Sequence, residues 1–295
     1  MFNQIELTSF DKCKLFDSLV GSILNYSAEV WGHYDSKDIE LVHCKFLRKV
    51  LNVKKSTNLD GLYGELGRYP MSISRQIIMI KYWIKVIKTS NPIIFNMYTT
   101  LKNDADNNIK YSGMNWAWHI KSIFDKIGMS YIWQNQSKID SFNIKVIIQR
   151  ILDIYKQGWY SNINNSNKLE YYCKYKHSFA LEKYMNCIFD NKFRISLTKL
   201  RLSAHDLAIE TGRYTNIPRE QRICLQCNMN TVESEYHFLL VCPKYRELRQ
   251  KYFKRYFCHW PNLNKFESIM SSNCTKTINN LAKFVYYAFQ LRINV

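Results

Sequence analysis

Glycine and proline are scarce in this 295-residue chain, nine and five residues respectively. Both punctuate turns, so their rarity argues against many tight hairpins and for long helices. Strict alternation of apolar and polar residues, the mark of a half-buried strand, is also rare. No apolar run reaches the roughly 20 residues that span a bilayer. The opening MFNQIELTSFDK has no basic start followed by an apolar core, so neither secretion nor a membrane partner is expected. H-E-x-x-H, the P-loop, G-x-S-x-G and the dinucleotide fingerprint are all missing. So is any adjacent Asp-Asp pair of the kind that holds catalytic Mg²⁺ in a palm-type polymerase. No catalytic residue is nominated, and the chain reads as a binding module with no enzyme activity of its own.

Acids are outnumbered: 24 Asp and Glu stand against 42 Lys and Arg, a formal net charge of +18. Such an excess points to a polyanionic partner, RNA or DNA before any anionic surface. Hydrophobic residues make up 46 % of the chain, enough for a sizeable core. Nine cysteines without a secretory leader read as reduced thiols in the cytoplasm or nucleus, where paired thiols more often bind metal than form disulfides.

The expected fold is all-α, a multi-helix, bundle-like array. Residues 12–31 place Leu15, Leu19, Ile23 and Tyr26 at helical spacing, which predicts a largely buried helix. Ser36, followed by Asp38 and Glu40, opens a helix to about Leu51. Pro70 starts another, to about Thr89, apolar nearly all round and therefore a core element. Asn91-Pro92 and Asn115 begin the next two. In the second, Trp116, Ile120, Ile123 and Ile127 share a face beside a partly buried His119. A further helix covers 141–160. The polar tracts 103–113 and 161–168 are candidate boundaries. A helix from Phe193 through Leu207 is expected, with Gly212 near its end, and a last one covers 276–293.

Residues 224–242, CLQCNMNTVESEYHFLLVC, carry Cys224, Cys227, His237 and Cys242 in the pattern C-x2-C-x9-H-x4-C. Three thiolates and an imidazole suit tetrahedral Zn²⁺, and four protein ligands make a closed, structural site near the C-terminus. The alternative is ordinary buried cysteines with an unrelated histidine. Basic residues crowd around this motif. Lys192, Arg194, Lys199, Arg201, Arg213, Arg219 and Arg222 precede it, and Lys244, Arg246, Arg249, Lys251, Lys254 and Arg255 follow it. Cations with interleaved aromatics are what single-strand binding uses. Lys199, Arg201, Arg213, Arg219, Arg222, Lys244, Arg246 and Arg249 are the nominated nucleic-acid contacts. The rival account makes Tyr245, Tyr252, Phe253 and Tyr256 the inner face of a helix and the cations its wet face.

The run LTKLRLSAHDLAIETGRYTNIPREQRICLQCNMNTVESEYHFLLVCPKY resembles the C-terminal region of non-LTR (LINE-type) retrotransposon reverse transcriptases, which carry a C-C-H-C zinc-binding segment after the polymerase and thumb. LFDSLVGSILNYSAEVWG, DIELVHCKFLRKVLNV and STNLDGLYGELGRYP followed by IKYW look like the post-palm region of the same proteins. The resemblance covers about residues 12–271. It implies a thumb- and connector-like helical region (1–103), a helical linker region (104–190) and a basic helical region with the zinc segment (191–295). It also implies template RNA or target DNA as partner, a palm elsewhere in the full-length element, and Cys224, Cys227, His237 and Cys242 as ligands. The fingers and palm, with their aspartates, are not in this sequence, nor does a restriction-like endonuclease follow the motif, so the chain is expected to be a fragment of such an element. The competing functional reading is a helical protein–protein adaptor whose zinc staple only fixes helices.

Overall fold

A computed structural model of the protein describes residues 7–107 and 115–293. The fold is all-α. Among the described residues there is no strand, only the isolated antiparallel bridges Leu66–Leu181 and Ile223–Val232. The chain divides into two compact units, and neither is one run of sequence. The first comprises Met1–Cys13, Cys44–Arg68 and Tyr160–Val295; the second comprises Lys14–His43 and Tyr69–Trp159. The three consecutive regions expected from sequence do not coincide with these units. The polar tracts proposed as boundaries are partly helical instead. Residues 103–106 close the Pro92–Asp106 helix and residues 161–165 close the Ser141–Asn165 helix, because Ala105 and Ile163 anchor the inner side of each last turn. Residues 108–113 of the first tract lie outside the described residues.

The second unit is built on the Met71–Ile87 helix, whose Met79, Ile80, Trp83 and Ile84 are buried with Ile120 and Phe124 of Trp116–Lys126 and Ile147 and Ile151 of Ser141–Asn165. Its helix starts follow the sequence signals. The Asn91 side chain accepts from the Ile93 amide at 2.9 Å, and Pro92 occupies the first turn, where a missing N–H costs nothing. Asn115 accepts from the Trp118 amide at 3.0 Å. Trp83 Nε1 donates to the Tyr98 hydroxyl at 2.8 Å, and that hydroxyl donates to Gln136 at 2.8 Å. Burial pushes the Tyr98 phenol up to about 12, so it stays protonated and able to donate.

The expectation of a buried 12–31 helix fails. Leu15, Leu19, Ile23 and Tyr26 are 44 %, 63 %, 74 % and 79 % exposed, while Phe16 and Ala28 are buried. A π turn, Phe16–Gly21, widens the helix after Ser9–Leu15, and Ser27 breaks it with a left-handed φ of 54°. A one-residue expansion rotates all that follows about the axis. The inner position falls to Phe16, which stacks on His43, and the longer apolar stripe is left outside.

In the first unit Asn191–Arg201 packs along Thr275–Ile293, burying Leu197 and Leu200 with Leu281, Phe284 and Val285. The Asn191–Arg201 helix stops short of Leu207 because Ser203 takes φ 47°. Gly212 does not end a helix; it lies inside Ala208–Tyr214, where an added Cβ would sit 2.7 Å from Arg222 Cγ. Gly67, at φ 59°, terminates Leu59–Leu66 and passes so close to Leu181 that a Cβ would meet its backbone nitrogen at 2.5 Å.

Candidate metal centre and its basic surroundings

The Ile223–Val232 bridge closes a short loop on which Cys224 and Cys227 sit. The Cys224 amide donates to the Thr231 carbonyl at 2.9 Å, and the Glu233 amide to the Arg222 carbonyl at 2.9 Å. The second pair of donors comes from a π turn, His237–Val241. Its hydrogen bond, from the Cys242 amide to the His237 carbonyl at 2.8 Å, spans five residues. Five residues along an α-helix separate side chains by about 140°, so His237 and Cys242 would diverge. The wider π turn closes one revolution in the same five residues and puts both on one side.

The four donor atoms all lie within 4.8 Å of one another, an arrangement that could hold a metal ion. Cys227 Sγ is 3.5 Å from His237 Nε2, and Cys224 Sγ is 4.0 Å from Cys242 Sγ. Thr231 Oγ1 stands 3.1 Å from His237 Nδ1. With Nδ1–H donating to that hydroxyl, the lone pair of Nε2 faces the sulfurs. Burial pushes the Cys224 and Cys242 thiols up and His237 down, which favours neutral side chains in the absence of a cation. Four protein donors leave no open position for a substrate. The Arg249 guanidinium, buried, donates to the Cys242 carbonyl at 2.5 Å and adds positive charge beside three potential thiolates. Glu233, whose carboxylate lies 3.7 Å from Cys224 Sγ, is neutralised by Arg292 and accepts from the Ala208 amide at 2.6 Å. The segment is bolted to the core by Phe238, stacked on Phe289 with ring centres 4.7 Å apart and edge-on to Tyr245.

The nominated phosphate contacts divide. Arg201, 2 % exposed, is a core residue: its Nε pairs with Glu65 at 2.6 Å, its Nη2 with Glu182 at 2.9 Å, and its Nη1 donates to the Met270 carbonyl at 2.9 Å. It also lies over the rings of Tyr175 and Tyr184. Arg249 is buried as described. Arg213 pairs with Glu210 at 3.0 Å and donates to the Asn167 carbonyl; Arg219 pairs with Glu170; Arg222 donates to the Ile209 and Ile217 carbonyls across Gly212. These arginines hold the fold together, which overturns Arg201 and Arg249 as surface contacts. Lys199 is half-buried. Lys244 and Arg246 are exposed, as are Lys251, Lys254 and Arg255. Of the interleaved aromatics, Tyr245 and Phe253 are buried and Tyr252 stacks flat on Tyr287, whereas Tyr256 is 62 % and Trp260 86 % exposed. Lys265 Nζ sits 4.5 Å above the Tyr256 ring. Thr231, Glu233, Arg292 and Trp260 were not legible as site residues. A hydroxyl six positions before the histidine matches no spacing rule, and Arg292 is brought in from the last helix.

No protein-family model matches the chain, and neither a curated protein nor a solved structure does. Fold and cluster together define an all-α protein with a closed Cys₃His donor set. No helix among the described residues is long and apolar enough to cross a membrane.

Proposed function

We propose that Cys224, Cys227, His237 and Cys242 hold one structural Zn²⁺, and that the chain binds single-stranded RNA or DNA through the cationic and aromatic surface following that site. In this reading it serves, in nucleus or cytoplasm, as the C-terminal part of a non-LTR reverse transcriptase, with no polymerase activity of its own. The observation that carries it is the donor geometry. Bonds of about 2.3 Å to sulfur and 2.0–2.1 Å to nitrogen place tetrahedral ligand atoms roughly 3.5–3.8 Å apart, close to the 3.5 and 4.0 Å separations found. Three thiolates and Zn²⁺ carry one net negative charge, which Arg249 offsets. Lys244, Arg246, Lys251, Lys254 and Arg255 supply phosphate contacts, and Tyr256 and Trp260 offer exposed rings for base stacking. Arg201, Arg213, Arg219, Arg222 and Arg249, tied to carboxylates or carbonyls, are not part of this surface.

The test couples metal analysis of protein purified without chelator to salt-titrated binding of a labelled single strand. One zinc per chain, and an affinity that falls linearly in log salt, are the expected results. Zinc content near zero would refute the metal assignment. Full zinc with no binding at low salt would refute the nucleic-acid reading and leave the adaptor, which the exposed Leu15, Leu19, Ile23 and Tyr26 stripe favours.

A further inference from the structure

Away from the metal cluster, within the second unit, residues 32–35, the Met71–Ile87 helix and the Trp116–Lys126 helix enclose a cavity of about 370 Å³. Arg75 lines it. Its side chain is buried, 3 % exposed, yet Nε and Nη1 have no hydrogen-bond partner. Both ring nitrogens of His33 are buried too, with the Val30 backbone beside the ring favouring its protonated form. The His33 ring stacks on His119 with centres 4.3 Å apart. Ser72, Gln76, Ser122 and Lys126 complete the polar wall.

The nearby acids do not satisfy these nitrogens. Glu40 and Asp35 both act on the Arg75 charge. The Glu40 carboxylate, however, accepts from the Met71 amide at 2.9 Å, and Asp35 lies 3.9 Å from Lys37. The flank of Arg75 is covered by the Trp31 ring, 5.7 Å away. Buried polar groups in folded proteins are almost always paired. The two unpaired guanidinium nitrogens of Arg75 on this cavity wall therefore mark the place of an acceptor. Nε and Nη1 each make a two-donor fork with Nη2 that fits a planar pair of oxygens, and a ligand with further anionic oxygens can also reach His33, His119 and Lys126. We propose that this cavity binds a small organic phosphomonoester, its dianionic phosphate gripped by the Arg75 guanidinium. A volume within the range of small-molecule sites, about 300–1,000 Å³, leaves room for the organic portion. Burial and the neighbouring His119 lower the affinity of His33 for a proton. A bound dianion reverses that balance, so binding takes up a proton and tightens as pH falls toward 6, against Arg75, Lys126 and His119 on one side and Asp35 and Glu40 on the other.

The test uses the full chain, titrated with phenyl phosphate, dimethyl phosphate and acetate at constant ionic strength, read by calorimetry and by the histidine ring resonances. Phenyl phosphate should bind saturably and move His33 and His119. Arg75→Gln should weaken it about tenfold or more, and the exposed-site change Lys126→Ala, which leaves the fold alone, two- to fivefold. If Arg75→Gln does not fold, Lys126→Ala and His119→Gln carry the comparison. Absence of saturation with phenyl phosphate, or affinities indifferent to these changes, would overturn the proposal. So would equal binding of dimethyl phosphate, which would mark a site for a phosphodiester backbone, or equal binding of acetate, which would mark a general anion site.

Discussion

Arg201→Met separates a structural arginine from a phosphate-binding one. Methionine keeps the unbranched stem but removes the guanidinium. The change leaves Glu65, fully buried, without its 2.6 Å partner, strips one of two cations from Glu182, and frees the Met270 carbonyl. Lys176 stays on Glu182 at 2.5 Å, so the damage centres on Glu65. Breaking a buried pair by removing one partner costs about 3–5 kcal/mol, which lowers the melting temperature on the order of 10 °C for a chain of this size. The deficit depends on pH. Burial already pushes the Glu65 carboxyl up, and Arg201 pulls it down. Without Arg201 the folded-state value rises further above the unfolded one. The folded variant then binds a proton that the unfolded chain has released, and its stability falls as pH rises beyond the ordinary carboxylate range near 4.3. The deficit is therefore larger at pH 8 than at pH 5. Adding Glu65→Gln should recover part of the loss by removing the stranded charge. The assay is urea unfolding at both pH values, alongside single-strand binding below the transition. Stability should drop with affinity and salt slope unchanged. Wild-type stability with weakened binding would refute the core assignment.

Thr231→Val removes the acceptor that orients His237 and should weaken zinc binding 10–100-fold with the fold retained at saturating metal, measured by competition with a chromophoric chelator. Lys251→Ala with Lys254→Ala should lower the log–log salt slope for a single strand by about 0.7 for each phosphate no longer neutralised, with little change in stability. Gly67→Ala should cost more than about 1 kcal/mol by chemical denaturation, since it forces a side chain into a left-handed φ of 59° and against the Leu181 backbone.

Much of the helical layout was readable because the signals are local. Asn91-Pro92 and Asn115 cap where their side chains reach the next free amides, and scarce glycine and proline left little room for hairpins. The four metal donors converge as their spacing suggested. What escaped was non-local. Arg201 looks like any surface arginine because its partner Glu65 stands 136 residues away in sequence. Beyond Phe16 the 12–31 stripe was read on the wrong face because a π turn changes the helical period and carries no residue signature. The two units escaped a linear reading because each is assembled from separated segments.

The five-residue step between His237 and Cys242 leaves the site with a hidden phase. Deleting one residue between them would let the turn tighten to an ordinary α-helix, in which positions four apart still lie within about 40° of each other. The donors would continue to converge. Everything after them would arrive rotated by about 40°. Tyr245 would leave its place against Phe238. Such a chain would load its full complement of metal and still present Lys244, Arg246 and Lys251 in the wrong direction, so metal content alone does not report that the segment beyond it is in frame.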